Sequence, residues 1–160
     1  MYKTLLAAAV VCGLGAPLAL AGDAISVKDP YARAVPPGQP NSAVFMQISN
    51  DGADDRALLS AASGVADVVE LHTHLMEDGM MKMRRVDQID LPAGEMVTLA
   101  PGGLHVMLIG LKQQLQPGDD VPLTLTLDDG SELSLTAPVR KVMPMGQMYE
   151  MLGEPVQGGH

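Results

Sequence analysis

The chain has 160 residues, 47% of them hydrophobic, with 17 Gly, 12 Pro, 12 Met, three Tyr, one Phe and no Trp. Its 19 Asp and Glu outnumber 10 Lys and Arg for a formal net charge of −9, which argues against a charge-driven grip on nucleic-acid phosphates or on anionic membrane surfaces. The length suits one domain, and the Gly and Pro content calls for many turns between short elements.

Residues 1–21 (MYKTLLAAAVVCGLGAPLALA) have a short basic start at Lys3, an apolar run from Leu5 to Leu14, a Gly/Pro break and then Ala19-Leu20-Ala21. This is the pattern of a secretory signal peptide cleaved after Ala21, and the run is too short and too interrupted for a membrane span. Cys12 suggests a lipoprotein instead, but Val10 and Val11 place bulky side chains where such a site wants small ones. Residues 22–160 contain no cysteine, so the exported chain has neither a disulfide nor a thiolate and depends on its core for stability.

From residue 24 to 140 the hydrophobic period is two, the period of half-buried strands. Strands are expected at 42–49 and 56–62, around the turn-forming Asn50-Asp51-Gly52, then at 68–76, 80–89, 96–99 and 104–109. Residues 110–117 read as a loop. Val121, Leu123, Leu125 and Leu127 alternate up to Asp128-Asp129-Gly130, and Leu133 to Val139 alternate again, a hairpin. Seven or eight such strands imply an all-β domain over residues 22–140, an antiparallel barrel or sandwich. Residues 141–160, rich in Met and Gly, are expected to be a flexible tail.

The candidate chemistry lies in Leu71-His72-Thr73-His74-Leu75-Met76. Alternation puts His72, His74 and Met76 on one face. Asp78-Gly79 is a strong two-residue hairpin signal, and that turn sets Met76 opposite Met81 and His74 opposite Met83. His105-Val106-Met107 places a further imidazole and thioether one pleat apart, pointing the same way. Methionine is often only a core filler, and here it substitutes for missing aromatics. Yet thioether beside imidazole, with no carboxylate in the cluster, is the donor set that selects copper, Cu(I) above all, whereas zinc prefers thiolate, imidazole or carboxylate.

The spacing His72-x10-Met83-x21-His105-x-Met107 resembles the H-x10-M-x21-H-x-M signature of the PCu(A)C periplasmic copper chaperones. Val69-Glu70-Leu71-His72, Met83-Arg84, Leu91-Pro92-Ala93-Gly94 and Pro101-Gly102-Gly103-Leu104-His105 are similar to that family too, and the likeness runs from about residue 25 to 139. The resemblance implies a cupredoxin-like fold binding Cu(I) at an exposed site, with His72, Met83, His105 and Met107 as ligands. It also implies a periplasmic monomer that delivers copper to a copper-accepting protein. In relatives this serves the dinuclear copper A site of cytochrome c oxidase, alongside Sco-type proteins. Where relatives often have Met two residues after the first His, this chain has His74, a third imidazole able to compete. The tail keeps Met143, Met145, Met148 and Met151 but a single imidazole, His160, so strong additional copper binding there is not expected.

Rival functions fare worse. A blue-copper electron carrier needs a Cys thiolate. A metallohydrolase pattern such as HExxH and a Gly-x-Ser-x-Gly elbow are both missing, so the chain is read as a non-enzyme. Copper scavenging or storage for another cuproenzyme, and a metal-free interaction module with a methionine face, remain as alternatives to delivery. Histidine titrates near pH 6.5, so Cu(I) affinity is expected to fall as the pH drops through about 6.

Overall fold

The computed structural model describes residues 24–142, and these form ten strands and no helix. In chain order the strands are β1 (Ile25–Arg33), β2 (Asn41–Asn50), β3 (Arg56–Ala62), β4 (Ala66–Glu77) and β5 (Met80–Arg85). They continue with β6 (Ile89–Leu91), β7 (Met96–Leu99), β8 (His105–Leu111), β9 (Asp120–Leu127) and β10 (Glu132–Arg140). Pairing runs β5-β4-β8-β2-β1-β10-β9-β3-β6, with β7 also on β2. The path folds back on itself, because residues of β2, β4 and β8 share one apolar cluster with residues of β3, β9 and β10.

The alternation in the sequence explains the core. Val121, Leu123, Leu125 and Leu127 of β9 are buried at every second position. Val106 and Leu108 of β8 and Leu71 of β4 face them from the other half of the cluster. Each such side chain contributes about 1.5–3 kcal/mol on burial. Strand β2 is buried at nearly every position, since both of its faces are covered: Val44, Met46 and Ile48 enter the core, while Phe45 lies under Tyr31 and His105 on the far side.

The all-β, cupredoxin-like expectation is borne out, with four differences in detail. The strands number ten rather than seven or eight. Strand β1, not singled out in the sequence, is broken by a register shift between Lys28 and Tyr31, where Asp29 takes a φ of 45°. It also pairs parallel to β10 at Ala32–Val139 and Arg33–Arg140, so the sheet is not wholly antiparallel. The expected strand over residues 80–89 is two strands, because the chain passes at Val86–Gln88 from β4's neighbourhood to that of β3. Asn50-Asp51-Gly52 turns the chain as expected, the Gly52 N–H donating to Asn50 Oδ1 at 3.0 Å. It carries the chain from β2 to β3, held by the buried Asn50 amide, which donates to the carbonyls of Asp54 and Leu91, 2.8 Å each.

Candidate metal centre

The side of β4 and β8 facing away from the core carries the donors. Asp78 and Gly79 both have positive φ, 51° and 75°, as a type I′ hairpin turn requires. That turn fixes the β4–β5 register at Met76–Met81 and His74–Met83, as the sequence indicated. On the other edge of β4, antiparallel pairing with β8 sets His72 opposite His105 and Glu70 opposite Met107. His74, Met83, His105 and Met107 line one open cavity of about 480 Å³, whose wall includes Phe45 and Pro101.

His105 is the fixed point of this face, only 2% exposed. Its ring lies 5.2 Å from that of His74, 5.8 Å from that of His72 and 6.2 Å from that of Phe45. Nδ1 is 3.0 Å from the Gly103 carbonyl, which can only accept, so Nδ1 carries the proton and Nε2 presents a lone pair. That Nε2 is buried and has no hydrogen-bond partner. Burial pushes the His105 pKa below its ordinary value of 6.5. The bond to Gly103 opposes this, while His74 and His72 alongside disfavour a further positive charge on the ring.

His72 repeats the arrangement with a carboxylate. Its Nε2 donates to Glu70 Oε2 at 2.8 Å, and its buried Nδ1 has no partner. The Glu70 carboxyl is held below the usual range, first by the His72 hydrogen bond and then by Arg85. Histidines that bind metals characteristically donate one ring N–H to a carbonyl or carboxylate and so aim the other nitrogen. His74 also has a buried Nδ1 without a partner, but no such bond anchors its ring. Among the described residues no three His, Cys, Asp or Glu side chains group as a metal site, and the thioethers of Met83 and Met107 line the cavity with His105 and His74.

Of the four residues singled out in the sequence, the structure brings Met83, His105 and Met107 to one cavity. His72 stands beside His105 without lining that cavity, and His74 lines it. Glu70, the Gly103 carbonyl and the Tyr31–Phe45 stack behind His105 were not foreseen. Glu70 was within reach of the same argument, since it lies one pleat from His72 on the same face. Cys12, the expected signal peptide 1–21, and Met143, Met145, Met148, Met151 and His160 lie outside the described residues.

The family model described as "Putative lipoprotein LpqE-like" matches residues 25–139. The chain belongs to the LpqE-like family. A "Putative lipoprotein Lxx21020" of Leifsonia xyli subsp. xyli is 30% identical over 129 residues, 80% of this chain and 76% of that protein. Among solved structures, the copper(I) form of DR1885 from Deinococcus radiodurans is 35% identical. That match covers 75% of this chain and 82% of the other, with a TM-score of 0.60. The copper-bound PCuAC domain from PmoF2 is 26% identical, covering 74% and 94%, with a TM-score of 0.64. The resemblance to PCu(A)C proteins thus extends from the sequence motif to the fold of this LpqE-like chain.

Proposed function

We propose that this LpqE-like protein is an exported copper(I) carrier that holds its cargo with His72, Met83, His105 and Met107. The observation that carries this reading is the pair of imidazoles, His105 and His72. Each is oriented through one ring nitrogen and keeps the other free in a buried position, beside a cavity lined by the thioethers of Met83 and Met107. Copper-bound relatives of the same fold support it. Thioethers are soft, neutral and need no deprotonation, so they favour Cu(I) and compete with no proton. The ion is expected to leave by stepwise ligand exchange, Met83 and Met107 yielding to stronger donors on a copper-accepting protein. By resemblance the acceptor is the dinuclear copper A site of cytochrome c oxidase or a Sco-type protein. The leader and the lipoprotein relatives support export to the periplasm. No catalytic role is assigned.

The test is an anaerobic Cu(I) competition titration against a chromophoric chelator, with Met83→Leu and His105→Ala alongside. One tight equivalent, weakened in both variants, is expected. A folded protein that takes no copper would leave the interaction module as the working reading.

A further inference from the structure

The β4–β5 hairpin extends beyond the cavity, and its two faces differ in kind. On one, Glu77 is tied to Arg84 at 2.7 Å and to Lys82 at 3.4 Å. On the other stand two cross-strand pairs in succession, His74–Met83 and Met76–Met81, with no charged group between them. Across a two-residue turn the closing pair Glu77–Met80 takes the hydrogen-bonded position. Met76–Met81 then falls where side chains stand closest, with Cβ atoms about 4.5–5.5 Å apart. Met76 is 66% exposed and Met81 52%, so neither sulfur is filling the core. The His74–Met83 pair lines the cavity and is the next step inward along the same face.

Resting on the copper reading above, we propose that Met76 and Met81 form a second, weaker Cu(I) position at the hairpin tip. Copper(I) arrives there and passes inward through His74 to the cavity. Two thioethers on directly opposed residues meet the need of a d10 ion that accepts two-coordination. Their exposure lets a donor ligand reach the metal before it is enclosed. His74 then has a use consistent with its surroundings: its ring lies 5.2 Å from that of His105, and with no anchoring hydrogen bond it is free to take the ion from the tip and release it. Each step exchanges one neutral ligand for another, thioether for imidazole and imidazole for thioether, with no change in the oxidation state of copper.

The experiment is a titration of the purified protein, labelled at the methionine ε-methyl groups, with silver(I), a redox-inert stand-in for Cu(I), followed by NMR. The first equivalent is expected to move the methyls of Met83 and Met107. The second should move those of Met76 and Met81, with a dissociation constant larger by at least about tenfold, as fewer donors imply. If Met83 and Met107 move while Met76 and Met81 stay fixed, or tail methyls move in their place, the tip site is overturned and the cavity reading stands. If Met83 and Met107 do not move, the cavity reading fails and the relay falls with it. The double variant Met76→Leu with Met81→Leu preserves volume and apolarity. It should keep the affinity of the first equivalent and slow copper loading from a chelator several-fold, and an unchanged loading rate would overturn the relay.

Discussion

Met46 and Met83 are the same amino acid on two sides of one sheet, and the difference between them separates packing from chemistry. Met46 points into the core among Val44, Ile48 and Leu99, and is 1% exposed. Met83 is 40% exposed and stands opposite an imidazole. The same division runs residue by residue along β4 and β8. Leu71, Val106 and Leu108 face inward, while their immediate neighbours His72, His105 and Met107 face the cavity side. A period of two lets one strand serve stability with half its residues and ligand binding with the other half. The two sets should therefore respond separately to substitution.

The largest effects should come from crossing between the sets. Leu108→Ala removes a fully buried side chain and is expected to cost about 2–5 kcal/mol in urea unfolding. Its Cu(I) affinity should stay near that of the unaltered protein while it remains folded. His105→Ala should do the reverse. Copper affinity should drop by more than the 10–100-fold typical of removing a supporting partner, with a smaller loss of stability than in Leu108→Ala, because the ring borders the open cavity and a buried nitrogen without a partner goes with it. Equal losses of stability in the two variants would break the comparison.

Methionine substitutions sharpen it. Met83→Leu should weaken Cu(I) binding at least about tenfold, yet change stability by no more than about 0.5 kcal/mol, as is usual at a surface position. Met46→Leu conserves core volume, should cost less than about 1.5 kcal/mol, and should leave copper binding alone. A chelator competition series on both variants checks this.

Glu70→Gln keeps an acceptor for the His72 Nε2–H but removes the charge. A fall of about tenfold in copper affinity is expected, the low end for a supporting partner. Competition titration of this variant beside His72→Ala and His74→Ala would show whether Glu70 acts through His72, since the effect should vanish once His72 is gone.

The smallest effect is on pH dependence. Because burial lowers the pKa of His105, the unfolded chain takes up a proton before the folded one does as pH falls below the ordinary value of 6.5. The contribution is complete above that value and declines as pH falls from it toward the lowered folded value. Urea midpoints of the copper-free protein should therefore drop between pH 7.5 and pH 5, and less so in His105→Ala. The same shift keeps His105 available to copper at a lower pH than an exposed histidine would be.

Much of this division was legible in the sequence because it is local. Alternation marks β9 and β10, and Asp78-Gly79 fixes the facing of His74 on Met83 and Met76 on Met81 through a single turn. What the sequence did not yield is non-local. No pattern within residues 25–33 or 132–140 says that β1 and β10 run parallel, and the bulge at Asp29 hides β1 by breaking its period. Cover on His105 likewise depends on Phe45 and Tyr31, from strands far away in the chain. For His72 and His74 the sequence does not show the difference in anchoring: Glu70 holds one ring by a hydrogen bond and none holds the other.

The most direct measurement of the central claim is X-ray absorption at the copper edge on protein loaded with one equivalent of Cu(I), before and after Met83→Leu. A coordination shell of mixed imidazole nitrogen and thioether sulfur, losing sulfur in the variant, is the result expected. A shell of nitrogen and oxygen alone, or one that the variant leaves unchanged, would contradict the assignment of this sheet face as the copper site.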